Sequence, residues 1–322
     1  MRIVTTKQPG ESEQLQIVEQ DVPKPSVGEL LIEVAAAAVN RTDIITRQTR
    51  VNPYLGVEVA GIVREINGDS SFKIGDRVMG LVNQGGYSEY AVMPSDRAML
   101  IPDNLSFTDA AAIPEVFLTA YQTLYWLGEL QTGSVVIHAG ASGVGTAAIQ
   151  LAKQLTDAKI IVTAGSAQKL ALCQRLGADV GINYHDTDFS ERILQETNGQ
   201  GVDVILDFIG ASYWQQNLKS IAVDGRWVLI GILGGRIVEQ VDLFALLEKR
   251  VQLKGTLLTP RADSYKAALT KEFYTNVAPY LANGTIYPVV DTIFDLADVQ
   301  TAHEYMEANK NSGKIVLRVK EV

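Results

Sequence analysis

The sequence predicts an α/β protein of two units, one β-rich and one a doubly wound parallel sheet, and three observations carry that reading. The first hundred residues are short apolar runs cut by turn residues. A glycine-bearing segment, residues 135–145, leads from an apolar strand into a helical stretch. Beyond it, strands alternate with helices.

In the first part, runs rich in β-branched and aliphatic residues at 15–21, 30–39, 57–66, 77–82 and 87–93 read as strands. Gly28, Gly56, Gly75 and the pair Gly85-Gly86 punctuate them. The pattern changes after Ser106, where Thr108, Asp109 and three alanines open helical stretches that continue past Pro114 through Thr119 to residue 127. From Gly133 onward, strands at 134–138, 160–163, 180–183, 202–208 and 227–230 alternate with helices at 143–155, 168–176 and 215–221. Such alternation implies a parallel sheet covered on both faces. Residues 251–258, a helix at 262–281 and a last strand at 314–319 fit either unit. With no repeat and no linker-like segment, the two units are expected to pack closely around a cleft.

Composition narrows the partners. The chain of 322 residues, 47% hydrophobic and 20% charged, is that of an ordinary folded protein. Its net charge of −9, without a Lys/Arg run, offers nucleic acid or an anionic membrane no evident basic surface. Residues 1–6 read as an alternating strand rather than a signal peptide, and no apolar run approaches a membrane span. The lone cysteine, Cys173, sits in a helical pattern as a small core residue and cannot form an internal disulfide. A reducing, cytoplasmic setting is the expectation.

The most informative segment is Val135-Val136-Ile137-His138-Ala139-Gly140-Ala141-Ser142-Gly143-Val144-Gly145. Gly143 and Gly145 let the backbone turn tightly and approach a pyrophosphate, whose charge is favoured at the exposed N–H groups of a helix start. The glycine order differs from the commoner fingerprint, so the strand before and the helix after are what make it a dinucleotide site. Dinucleotide enzymes that prefer NAD typically place an acid at the end of the second strand. Here that strand ends Val162-Thr163-Ala164-Gly165-Ser166, without an acid. Ser166 and Lys169 can instead donate hydrogen bonds to a 2′-phosphate, which favours NADPH. Tyr184 is a candidate wall for the adenosine end. Taken singly, Lys169 also reads as a solvated helix charge and Tyr184 as a half-buried strand end. The expected cofactor set is Ala141, Ser142, Gly143, Val144, Gly145, Gly165, Ser166, Lys169, Tyr184 and Ile232.

At these residues the chain resembles the medium-chain dehydrogenase/reductases. The resemblance extends through Asn40-Arg41-Thr42-Asp43, Ala111-Ala112-Ile113-Pro114-Glu115, Ser212-Tyr213-Trp214, residues 224–229 and the ending 305–317. These look like the zeta-crystallin-like quinone oxidoreductases, with the tumour-suppressor-induced quinone oxidoreductases as the branch most resembled. The resemblance implies a GroES-like β-rich catalytic domain at residues 1–112, with the C-terminal part 251–322 returning to it. It further implies a Rossmann domain at 113–250, NADPH in the cleft, and a homodimer joined through Rossmann domains.

Zinc-dependent members of that superfamily bind catalytic metal through a Cys after an early strand and a His in a Gly-His-Glu run. This chain has Asn40 at the first place and Gly56-Val57-Glu58 at the second, and neither Asn40 nor Val57 replaces a thiolate or imidazole. His138, His185 and His303 are far apart in sequence and read as structural, and one cysteine cannot build a four-cysteine structural site. No zinc is expected. Ketone reduction makes an alkoxide comparable in basicity to hydroxide, conjugate acid ~15.7, which calls for a Lewis acid or a placed proton donor. A quinone gives a phenolate-like anion, conjugate acid nearer ~10, and an enone gives a delocalised enolate. Quinones, ortho-quinones above all, and conjugated carbonyls are therefore the expected acceptors. Asn40, Asp43, Tyr54 and Thr119 are the candidate catalytic residues. Asn40 and Asp43 read equally as turn or helix-capping residues, and Thr119 reads also as pocket lining. The family's tyrosine facing the nicotinamide falls here at Val51 in a shortened segment, leaving Tyr54 nearby but out of register. Two alternatives stay open: an NADPH-dependent enoyl or alkenal reductase, and an NADPH-binding structural or regulatory protein with little turnover.

Overall fold

The structure is a computed structural model that describes residues 1–51 and 53–321; Asn52, within the shortened segment, lies outside the described residues. The elements run β1 (Arg2–Thr6), β2 (Leu15–Glu19), β3 (Glu29–Val39), α1 (Arg41–Thr49), β4 (Glu58–Asn67), β5 (Arg77–Leu81), β6 (Tyr90–Pro94), β7 (Ala98–Leu100), α2 (Phe107–Ala111) and α3 (Pro114–Tyr121). A π-helical stretch, Gln122–Leu127, continues α3. Then follow β8 (Ser134–Ile137), α4 (Gly143–Leu155), β9 (Lys159–Ala164), α5 (Ala167–Leu176), β10 (Val180–Asn183), α6 (Phe189–Glu196), β11 (Val202–Asp207), α7 (Trp214–Ser220), β12 (Ile221–Leu229), α8 (Leu243–Lys249) and β13 (Gln252–Gly255). The chain closes with α9 (Asp263–Ala282), β14 (Val290–Asp295), α10 (Val299–Glu307) and β15 (Lys314–Arg318). Among the described residues no helix is long and apolar enough to cross a membrane.

Two compact units result, Met1–Leu118 with Leu258–Val322, and Thr119–Leu257. The first carries a seven-stranded sheet in which β14, β15, β3, β4, β5 and β7 are neighbours in that order and β6 also pairs with β3. Strand β3 organises it: eleven residues long, with Leu30, Ile32 and Val34 fully buried. Because β15 pairs antiparallel with β3, Ile315 lies opposite Val39, and the C-terminal strand delivers Lys314 to the end of β3. The second unit is a six-stranded parallel sheet in the order β10-β9-β8-β11-β12-β13. Its core of Val136, Ile161, Ile182, Ile205 and Trp227 comes from the strand interiors, as near-continuous apolar runs in a sheet buried on both faces require. Residues 251–258, which the resemblance assigned to the C-terminal return, divide between the two: β13 is the sheet's edge strand, whereas Leu258 begins the first unit's second stretch.

Helices α6 and α8 and strand β14 have no counterpart in the sequence analysis. Each is eight residues or fewer, about two turns at most, and too short for periodicity to stand out.

Candidate functional site

In the parallel-sheet unit the chain moves outward from β8 to β9 and β10 on one side and to β11, β12 and β13 on the other. The strand ends at this reversal of order are where open α/β sheets bind ligands. The turn from β8 into α4 sits there. Ser142 is the N-cap of α4, its hydroxyl accepting the Gly145 amide at 3.1 Å. Gly145 is demanded by space: a Cβ would lie 2.5 Å from the Ala139 carbonyl oxygen and 2.6 Å from that of Gly140. Gly140 is equally constrained, with Val162 2.9 Å and the Cys173 sulfur 3.1 Å from the place of a Cβ. Ala139 takes the strained left-handed conformation, φ 49°, that lets the loop double back. Ala141, Gly143 and Val144 complete this turn.

The second cluster gathers beside it, at the ends of β9 and β10. Asn183 pairs with Ala164 in register, which brings Tyr184 against Gly165; a Cβ there would lie 2.6 Å from the Tyr184 hydroxyl. A larger residue there would have to push the ring aside. Ser166 caps α5, its Oγ accepting the Lys169 amide at 3.3 Å, so Gly165, Ser166, Lys169 and Tyr184 share one corner without an acidic residue among them. Ile232 lies half exposed in the loop after β12, where its Cα approaches within 3.3 Å of a Cβ built on Gly210. Beneath the turn is a network that sequence reading missed. Fully buried His138 meets Thr163 Oγ1 at 3.0 Å and Asn217 Oδ1 at 2.7 Å. Asn217 Nδ2 donates to Asp207 at 3.1 Å, and the Trp227 indole donates to the same oxygen at 3.0 Å. Burial holds the His138 pKa below its ordinary value, opposed by the Asp207 charge. His138 is thus a neutral linker between strands. Thr119, at the first boundary, is buried, and its carbonyl accepts the Thr123 hydroxyl at 2.8 Å.

In the β-rich unit, Asn40 and Asp43 meet at the start of α1. The Asp43 carboxylate accepts the Asn40 amide at 2.8 Å, the Tyr87 hydroxyl at 2.8 Å and the Gly56 amide at 3.1 Å. It is therefore occupied at the helix start, the capping alternative raised above. Complete burial raises its pKa to about 6, with the Tyr87 bond pulling the other way. The same burial, reinforced by the Asp43 charge, pushes the Tyr87 phenol well above its usual value.

The Asn40 side chain turns to a different cluster. Its Nδ2 donates to Glu58 Oε1 at 2.7 Å, and its Oδ1 accepts the Lys314 ammonium at 2.6 Å. Lys314 also donates to Glu58 Oε1 at 2.9 Å and the Val39 carbonyl at 3.0 Å, while Glu58 Oε2 accepts the Glu115 amide at 2.7 Å. All three side chains are buried. The Lys314 ammonium already takes the Asn40 oxygen and Glu58 Oε1, and Asn40 and Val57 offer neither thiolate nor imidazole, so these residues do not fit zinc. Among the described residues no three His, Cys, Asp or Glu gather into a metal-binding group. Tyr54 stands apart from the cluster: its hydroxyl accepts Gln20 Nε2 at 2.7 Å in an exposed position.

Two family models match successive stretches of the chain. Residues 26–103 match the alcohol dehydrogenase GroES-like domain, and residues 143–272 match the family described as zinc-binding dehydrogenase. Quinone oxidoreductase-like protein 2 of Bos taurus is 30% identical over 313 residues, which span 94% of this chain and 89% of that protein. Highly-reducing polyketide synthase 1 of Aureobasidium melanogenum is 36% identical over 308 residues, 92% of this chain but only 14% of that far longer protein. Escherichia coli quinone oxidoreductase, solved in complex with NADPH, superposes with a TM-score of 0.90 at 31% identity, covering 99% of this chain and all of that one. The two matched families, the parallel sheet with its glycine turn and the full-length similarity agree: this chain belongs to the quinone oxidoreductase family of the medium-chain dehydrogenase/reductases.

Proposed function

We propose that the chain is a zinc-independent NADPH:quinone oxidoreductase with ortho-quinones as its favoured acceptors. The observation that carries this reading is the Lys314 ammonium, held by Asn40 and Glu58 where a zinc-dependent relative needs metal ligands. Without a Lewis acid, acceptors whose reduced oxygen is weakly basic are the ones the protein can serve. NADPH supplies the hydride when bound. Ala141, Ser142, Gly143, Val144 and Gly145 would take its pyrophosphate, and Gly165, Ser166, Lys169 and Tyr184 its phosphorylated adenosine. Ile232 and Thr119 would complete the cofactor's surroundings. Asn40 and Asp43 serve as positioning residues, since their polar atoms are already spent on the fold. Tyr54 is the remaining candidate from the shortened segment. In domain terms, the Rossmann unit carries the cofactor and the GroES-like unit, built from both chain ends, carries the acceptor pocket.

The test follows NADPH absorbance across ortho-quinones, para-quinones, 2-enals and enoyl thioesters, before and after dialysis against a chelator. Turnover of ortho-quinones undiminished by chelation is expected. One tightly bound zinc per chain by elemental analysis, or activity confined to alcohols, overturns the reading. The similarity to a segment of a highly reducing polyketide synthase favours a second reading, an enoyl or 2-alkenal reductase. Faster turnover of an enal or enoyl thioester than of any quinone selects it.

The assembly proposed is a homodimer through the Rossmann unit. Its sheet ends at β13 with exposed Leu253, and α8, which packs on β12 and precedes β13 in the chain, exposes Leu243, Phe244 and Leu247. An unprotected edge strand next to apolar side chains is a surface that a second copy would cover. Light scattering at twice the 35.0 kDa chain mass is the expected result.

A further inference from the structure

We propose that Lys266 receives the acceptor's oxygen: its buried ammonium, on the lining of a pocket beside Val57, donates a hydrogen bond to the oxyanion formed as a quinone or conjugated carbonyl is reduced. This rests on the reductase reading above and adds a residue to that site.

The pocket belongs to the β-rich unit. Val57, Val82 and Leu258 give it an apolar wall, and Asn83, Glu115 and Lys266 give it polar groups. Val57, on this lining, is the residue that stands in the Gly56-Val57-Glu58 run in place of a histidine. Lys266 stands in the first turns of α9, only 7% exposed. A buried ammonium needs oxygen partners to replace its lost water. Lys266 has two distant ones among the described residues. These are the Thr259 carbonyl at 3.5 Å and Asp263 Oδ1 at 3.4 Å, both beyond the normal N–H···O range. Asp263 is itself largely exposed and takes Arg97 at 2.6 Å.

Other buried charged and phenolic groups of the unit have shorter partners, although Arg97 Nε has no hydrogen-bond partner among the described residues. Lys314 has three oxygens between 2.6 and 3.0 Å. Arg47 is held by Glu307 at 2.7 Å and 3.1 Å and by the Gly10 carbonyl at 3.1 Å. Arg97 is clamped between Asn83 and Asp263, each at 2.6 Å. Asp43 and Tyr87 satisfy each other. Lys266 is thus the cation on the pocket lining, and its partners are more distant than those of Lys314, Arg47 or Arg97.

The chemistry balances. NADPH, when bound, would supply a hydride to the far carbon of the conjugated system, whose π electron pair moves onto the acceptor's oxygen; one proton from solvent, with enolisation of the new ring C–H in a quinone, completes the reduced product. Lys266 keeps its proton and supplies charge where charge develops, which is the role a preorganised donor performs best.

The experiment uses the full chain and 4-nitrophenol, whose anion mimics the reduced oxygen and is followed by its own absorbance without turnover. Wild-type protein is expected to bind 4-nitrophenolate. Lys266→Met should bind it at least about tenfold more weakly, and Lys266→Arg should retain most of the affinity. Asp263→Asn, which removes the ion pair and leaves the ammonium, should bind as wild type. With a quinone, Lys266→Met should lose roughly 100-fold in kcat/KM, mostly in kcat, at unchanged NADPH affinity and melting temperature. Nitrophenolate binding that is absent in wild type or equal in Lys266→Met overturns the proposal. So does a kcat/KM within about threefold of wild type in a folded Lys266→Met. If no acceptor oxidises NADPH, the reductase reading fails on its own, while the nitrophenolate comparison still decides the role of Lys266.

Discussion

The nucleotide turn and the Asn40–Glu58–Lys314 cluster are both built around positions where function is expected, yet they are assembled in opposite ways. In the turn, the decisive contacts join residues a few places apart: Ser142 to Gly145, and Gly145 to the carbonyls of Ala139 and Gly140. In the cluster, Lys314 reaches Asn40 across 274 residues and Glu58 across 256. The first is local backbone geometry that a short sequence enforces. The second exists only because β15 pairs with β3, so its integrity measures the tertiary structure of the β-rich unit. Perturbing each should therefore have different consequences.

The largest effect is expected from breaking the distant cluster. Lys314→Met leaves Glu58 buried without its cation and should cost about 3–5 kcal/mol in denaturant unfolding, whereas the Lys314→Met/Glu58→Gln pair should cost less than the sum of the singles. Additive losses would show that the two charges are not coupled. NADPH affinity of whatever fraction stays folded should be unaffected.

Next comes Asp43, which couples the same unit to pH. Its folded pKa of about 6 lies above the ~3.9 of an unfolded aspartate, so between those values the folded chain binds more protons than the unfolded one. Stability from this group is therefore present at low pH and lost as pH rises toward and through 6, by up to about 3 kcal/mol. His303, whose pKa burial lowers to about 3, acts in the opposite direction, with stability lost as pH falls below about 6.5. The difference between wild type and Asp43→Asn isolates the carboxylate: relative to the variant, wild type should weaken between pH 4 and 7. A flat difference would mean that Asp43 ionises normally.

A smaller effect sharpens the local side of the comparison. Lys169→Ala should reduce the preference for NADPH over NADH by roughly tenfold, the worth of one charge-assisted hydrogen bond, with no change in melting temperature. Tryptophan fluorescence titration with both cofactors reads it, and an unchanged preference would remove Lys169 from the site. Smallest of all should be Tyr54→Phe. Its hydroxyl is engaged with Gln20 at an exposed position, so kcat/KM for a quinone should change less than about tenfold, against the 10²–10⁴ of a true general acid. A hundredfold loss would instead give Tyr54 the role of the family tyrosine that is missing at Val51.

What the sequence by itself determined follows the same division. The α/β class and the glycine turn were legible because strand periodicity, helix starts and tight-turn glycines act over a few residues. The acid-free end of β9 was legible for the same reason, and the register of β10 on β9 then placed Tyr184 against Gly165. The absence of a Cys at Asn40 and of a His at Val57 could be read directly. What fills that place could not. Lys314 lay within a C-terminal strand, Glu58 beside a missing histidine, and Lys266 unremarked within the helix at 262–281. Their meaning came from a strand pairing and a pocket lining that bring distant segments together. Whether a polar side chain is spent on the fold or left for a ligand depends on which distant atoms satisfy it. That is a property of burial and partner distance, decided in the tertiary structure: it ties Asn40 and Asp43 into short buried hydrogen bonds and gives Lys266 only distant partners at the pocket.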